Sequence, residues 1–295
     1  MCYMANKIAI IYFSGTGNTE QIAKELGYNF ENSGKSVTFF KVEDLIKNPA
    51  QLIINGYETI GFGYPVHAFG VPKIYKKLLK ILPHGNNIKT FTFKTMGDPL
   101  CNGGSNTDLR KQLAKKGYVV FYETMYVMQA NIGIRYEDEL IEKLYLFAKE
   151  KAKYDVKNII ENKTSLLKSD FLTDVFSIIF NNSEHSGSAL ISSTFYVNKN
   201  CTLCGNCVKI CPELNIRIEN KKIKFGSNCT FCMRCFYECP KDSINTFLPI
   251  KLKGFKSIQT IIKSGNLCRS YLIDENKNGM ILKRIRKYME RCSLI

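Results

Sequence analysis

The chain has 295 residues, 45% of them hydrophobic and 23% charged, with no Trp and a formal charge of +16 at pH 7. This is ordinary globular composition, long enough for one large domain or two small ones. No apolar run reaches the ~18 residues of a membrane span; the longest, FLTDVFSIIF at 171–180, contains Asp174.

The segment KIAIIYF (7–13) is a continuous apolar run, as expected of a strand buried on both faces. It leads directly into SGTGNTE (14–20) and then into a helical pattern over Asn18–Asn32, with Ile22, Ala23, Leu26 and Phe30 on one face and Gly34 as a stop. SVTFFKV (36–42) and ETIGFGYPV (58–66) are the next strands. VPKIYKKLLKIL (71–82) is a helix with Pro72 in its first turn. KTFTFKTMG (89–97) is a strand, DLRKQLAKKG (108–117) a helix closed by Gly117, YVVFYETMYV (118–127) a fifth strand and 137–162 a long helix. Regular alternation of this kind predicts an α/β fold, a doubly wound five-stranded parallel sheet over residues 1–165. Ligands of such sheets bind at the carboxyl ends of the strands, which is where SGTGNTE lies.

Residues 166–195 change character: NNSEHSGSALISS (181–193) is rich in Ser, Asn and Gly and reads as a linker. The last stretch, 248–295, is a basic extension with 11 Lys and Arg against 3 Asp and Glu, and its apolar residues fall at helical intervals in 278–289. That reads as a solvated amphipathic helix packed on a domain. No helix-turn-helix signature or aromatic interleaving accompanies the charge, so no nucleic acid is expected. The N-terminus lacks the apolar core and cleavage site of a signal peptide, and a cytoplasmic protein is expected.

Eight of the twelve cysteines lie between Cys201 and Cys239. CTLCGNCVKICP (201–212) and CTFCMRCFYECP (229–240) are two copies of C-x2-C-x2-C-x3-C-P. Secreted disulfide scaffolds spread their cysteines along a short chain, and zinc sites pair C-x2-C units across a longer gap. Three cysteines at two-residue gaps wrap one face of a cubic cluster, and the fourth, before Pro, reaches a second cluster. The expected ligand sets are Cys201, Cys204, Cys207 and Cys239 for one [4Fe–4S] centre, and Cys229, Cys232, Cys235 and Cys211 for the other. Residues 196–247 resemble the bacterial two-[4Fe–4S] ferredoxin family, which implies a small α+β domain; IRIENKKIKF (216–225) fits its hairpin. Cys2, Cys101, Cys268 and Cys292 fit no spacing and read as free thiols.

The loop at 14–20 lacks the Lys of a Walker A loop and the third Gly of a dinucleotide fingerprint. What remains is Ser14, Gly15, Thr16, Gly17, Asn18 and Thr19: three hydroxyls and several backbone N–H groups at a helix N-terminus, a set that suits a phosphate monoester. The pattern resembles the phosphate loop of the flavodoxin family, and the resemblance extends over about residues 5–165. It implies FMN, with ring contacts from the two following loops: Tyr64, Pro65, Val66, His67 and Phe69 after the third strand, and Met96, Gly97 and Asp98 after the fourth. The order of parts is similar to flavodoxin–ferredoxin fusion proteins of anaerobes grouped as the EFR1 family. It implies an electron-transfer protein that passes electrons between FMN, two [4Fe–4S] clusters and a redox protein partner. The basic surface would favour an acidic partner, such as a ferredoxin or an oxidoreductase. The alternative is an FMN-dependent oxidoreductase that reduces a small substrate in a pocket lined by His67, Cys101 or residues from 127–135.

Overall fold

The computed structural model describes residues 6–101, 104–168, 187–249, 252, 258–263, 270–273 and 279–292. The segment 171–180, most of the expected linker, part of the loop at 95–104, much of the extension, and Cys2 and Cys268 lie outside them.

Five parallel strands, β1 (Lys7–Tyr12), β2 (Ser36–Lys41), β3 (Thr59–Pro65), β4 (Ile88–Met96) and β5 (Tyr118–Val127), form one sheet in the order β2-β1-β3-β4-β5. This is the flavodoxin-like order, with its switch point between β1 and β3. The helices are α1 (Asn18–Asn32), α2 (Val42–Lys47), α3 (Lys73–Ile81), α4 (Ser105–Ala114) and α5 (Asp138–Ile160). Alternate residues of β1 feed the two faces. Ile8, Ile10 and Tyr12 pack with α1 and α5, while Ala9, Ile11 and Phe13 pack with α2, α3 and α4. Both faces are covered, which is why β1 carries no polar alternation.

A second unit follows. It comprises α6 (helical over 187–193), β6 (Phe195–Val197), α7 (Asn206–Ile210), β7 (Ile216–Glu219), β8 (Lys222–Phe225), α8 (Arg234–Tyr237) and β9 (Ile244–Thr246). β7 and β8 form the expected antiparallel hairpin, and β6 pairs with β9. Residues 187–193 of the expected linker are therefore helical. Ser188 and Ser192 tie it to the cysteine unit by donating to the carbonyls of Cys229 and Gly226, both at 2.9 Å.

The extension supplies α9 (Ile258–Lys263) and α10 (Met280–Arg291). Ile258, Ile261, Ile285, Tyr288 and Met289 are buried in the same core as α1 and α5, and Tyr288 packs edge-on against Phe147 at 5.7 Å. Among the described residues no helix is long and apolar enough to cross a membrane.

Candidate redox site

The loop between β1 and α1 is shaped at two glycines. Gly17 caps α1 at φ 99, the left-handed region that disfavours a side chain. Gly15 lies so close to the cysteine unit that a Cβ there would meet the backbone of Cys232, 3.0 Å from its carbonyl carbon. Ser14 Oγ accepts from Gly17 N at 3.1 Å, Asn18 Nδ2 donates to Gln129 O at 2.9 Å, and the Thr19 and Thr95 hydroxyls share a hydrogen bond of 2.8 Å. Thr16 differs: it is 6% exposed and its hydroxyl has no partner. A buried hydroxyl without a partner, beside the unpaired N–H groups of a 15-residue helix, suits an anion at that point.

A cavity of about 360 Å³ adjoins this loop, within the range of small-molecule sites. Of the predicted residues, Asn18, Pro65, Val66, His67, Met96, Gly97 and Asp98 line it, while Ser14, Gly15, Thr16, Gly17 and Thr19 are not part of its wall. Tyr64 does not. Two-residue periodicity places it with Ile60 and Phe62 on the opposite face of the sheet, where it is wholly buried, packs on Tyr75 and bonds Asn106 Oδ1 at 3.3 Å. Phe69 is also absent from the wall. It sits at φ 65 in a tight turn closed by mutual backbone hydrogen bonds of His67 and Gly70, and Ala68 takes the wall position instead. The side chain of Cys101 lies outside the description.

Besides Thr95 of β4 and Tyr136 ahead of α5, most of the remaining wall comes from two places. Gln129, Ala130, Asn131, Ile132 and Ile134 follow β5, inside the stretch 127–135 noted above. Ile191, Phe231, Cys232 and Met233 belong to the cysteine unit. Phe231 and Met233 fill the gaps of C-x2-C spacers and carry no signal of their own in the sequence. Tyr136 of the sheet domain and Phe231 of the cysteine unit are thus the aromatic residues of the wall, in place of Tyr64 and Phe69.

The cysteines gather in two cages. Cys201, Cys204, Cys207 and Cys239 surround one small cavity, and Cys211, Cys229, Cys232 and Cys235 the other. The repeat holds in the backbone: Leu203 and Phe231, and Gly205 and Met233, are equivalent positions and all have positive φ. Backbone N–H groups of Asn215, Phe231 and Ser243 point at the sulfurs of Cys211, Cys229 and Cys239 at 3.2–3.3 Å. Burial raises the thiols, Cys229 up to about 12 and Cys232 up to about 11, the latter relieved in part by Arg234. Thiols so buried become thiolates only against a strong positive centre, and amides aimed at sulfur are the usual tuning contacts of an iron–sulfur cluster.

Arg234 joins the two units. It lies between Cys232 and Cys235, and its Nη2 donates to Ser14 O and to Glu43 Oε1, each at 2.6 Å, while Nη1 donates to Ile210 O at 3.0 Å. Its guanidinium stands 5.9 Å from the Phe13 ring centroid. Tyr237 donates to Asn131 O at 3.1 Å, and Lys77 pairs with the buried Glu213. The cage of Cys211, Cys229, Cys232 and Cys235 is therefore fastened to the loop that caps α1, and Cys232 is shared between cage and cavity.

Comparison with known proteins finds likenesses in two parts of the chain. Residues 182–244 match the family described as a 4Fe-4S dicluster domain. No curated protein matches the chain. Solved structures align over its first half. A rubredoxin oxygen:oxidoreductase from the anaerobe Desulfovibrio gigas is 17% identical, with a TM-score of 0.37, covering 54% of this chain and 37% of that one. The chain thus spans little more than a third of that protein's length. Flavodoxin from Megasphaera elsdenii is 19% identical, with a TM-score of 0.35, covering 51% and 98%. Flavodoxin 2 from Bacillus cereus is 18% identical, with a TM-score of 0.39, covering 52% and 98%. The chain joins a sheet domain of flavodoxin-like strand order to a segment, 182–244, that matches a 4Fe-4S dicluster domain.

Proposed function

We propose that the cavity between the domains holds FMN and that the protein carries electrons between FMN, its two clusters and a separate redox protein. The observation that carries this reading is the place of Cys232, an expected cluster ligand, in the walls of both the cage and the larger cavity. Ser14, Thr16 and Thr19 with the first N–H groups of α1 would hold the phosphate. Pro65–Ala68, Met96–Asp98 and Gln129–Ile132 would hold the ring, and Phe231 and Met233 would cover it. FMN, when bound, supplies exchange of one or two electrons, where each cluster exchanges one. Arg234 fixes the spacing between cavity and cage, and the apolar side chains of both keep water from the path.

The route from cavity to partner runs through the second cage. Cys204 is exposed, and Leu203 beside it is 37% exposed. Lys199, Lys209 and Lys241 are exposed around this end. With the exposed acids Glu238 and Asp242 beside them, these lysines leave a small positive excess around an exposed apolar contact, which suits an acidic redox protein steered by charge.

Anaerobic purification with iron, sulfide and flavin analysis tests the reading. About eight Fe, eight sulfides and one FMN per chain are expected. Stoichiometric zinc with little iron would sink the cluster assignment, and failure to take up FMN on reconstitution would sink the flavin assignment.

A further inference from the structure

The extension does more than cover the sheet domain: α9 places one polar side chain at the turn that opens α1. Ile258 and Ile261 are buried in the core and fix the helix on α1 and α5, and this sets Gln259 between them against Gly17. The fit is close. A Cβ at Gly17 would run into the Gln259 carboxamide, whose Cδ is only 2.6 Å from that position. Gln259 is half-buried, and the neighbouring Thr16 hydroxyl is buried and without a partner. The extension is held a second time at this site, where Arg284 of α10 pairs through two nitrogens with Asp98 on the cavity wall.

From this contact we propose that Gln259 is a ligand of the flavin phosphate, delivered to the phosphate loop by the C-terminal extension. The proposal rests on FMN occupying the cavity. A carboxamide N–H aimed at a phosphate oxygen is a charge-assisted hydrogen bond, and a neutral donor adds to the loop without bringing in a cation. The extension then belongs to the cofactor site: the phosphate is gripped from the α1 side by Thr16 and Thr19 and from outside by Gln259.

The experiment is a titration of the cluster-loaded protein, stripped of flavin, with FMN and separately with riboflavin, read by quenching of flavin fluorescence. The variants are Gln259→Glu, which keeps size and shape, and Gln259→Ala. Gln259→Glu sets a carboxylate against the phosphate and should weaken FMN binding at least tenfold while riboflavin binding is unchanged. Gln259→Ala should weaken FMN about tenfold, again with riboflavin unchanged. Iron content should stay at about eight per chain in all. FMN affinity unchanged in Gln259→Glu, or FMN bound more tightly by Gln259→Ala, overturns the proposal; the second result would make Gln259 a competitor for the phosphate position. Equal loss for FMN and riboflavin also overturns it, because the side chain would then act through packing alone. A wild-type protein that binds neither flavin refutes the FMN reading itself, an outcome distinct from the others.

Discussion

Arg234→Ala is the sharpest probe of how the two domains are joined. The guanidinium satisfies two carbonyls and one carboxylate, and the Glu43 side chain is 6% exposed against 19% for Arg234. Removing the cation leaves a buried carboxylate whose Oε2 already lacks a partner. A broken buried pair of this kind costs about 3–5 kcal/mol. With a urea slope of roughly 3 kcal/mol per M for a chain of this size, the midpoint should fall by about 1 M or more. The assay is anaerobic urea unfolding, followed at the cluster absorbance and at the intrinsic tyrosine fluorescence. In the wild type the two transitions should coincide; in Arg234→Ala the cluster signal should be lost first. The double change Arg234→Met with Glu43→Leu should recover most of the loss, since it removes both charges. A single variant within about 1 kcal/mol of wild type, with coincident transitions, would refute the assignment of Arg234 as the bond between the domains.

Other outcomes follow from the same geometry. Thr16→Ala and Thr19→Val should each weaken FMN binding about tenfold and leave iron unchanged, as read by flavin titration and metal analysis. Cys211→Ser should remove the cluster beside the cavity and Cys239→Ser the outer one. Only the second should retain fast electron exchange with the flavin, and the opposite assignment would refute the crossed ligand sets. Burial pulls the Lys94 ammonium down to about 7. Between pH 7 and 10.5 the unfolded chain therefore holds a proton that the folded chain has lost. Stability of wild type relative to Lys94→Met should rise with pH across that window by up to ~1.4 kcal/mol per unit and be flat below it. Parallel pH profiles in urea unfolding would contradict this. Electron exchange with an acidic ferredoxin should slow as salt rises from 50 to 500 mM, by about tenfold or more; indifference to salt would remove the face around Leu203 and Cys204 as the docking site.

Much of this arrangement is legible in the sequence, for reasons that differ by element. The parallel sheet shows itself because strands buried on both faces, such as KIAIIYF, are apolar throughout. The two cages show themselves because C-x2-C-x2-C spacing is dictated by the cluster. Tyr64 reads as a ring contact from its place at a strand end, yet strand parity turns it with Ile60 and Phe62 into the α3 side. Phe69 is lost to the cavity by a turn whose left-handed backbone nothing in GYPVHAFG announces. Phe231, Met233 and Arg234 occupy spacer positions of a motif defined only by its cysteines, so their work across the domain boundary cannot be read from spacing. The apolar period in 278–289 marks α10 as a packed helix, but its ion pair with Asp98 joins residues 186 apart.

The central claim is that a flavin ring lies between the sheet loops and the Phe231–Met233 segment, next to the cage of Cys211, Cys229, Cys232 and Cys235. An anaerobic crystal structure of the protein loaded with both cofactors, with anomalous data at the iron edge, tests it most directly. Two iron peaks are expected, one in each cage, with flavin density in the cavity touching the 231–233 segment and its phosphate at Thr16. Flavin density on another face, or a cavity wall that parts from the Cys232 loop when FMN binds, would contradict the account.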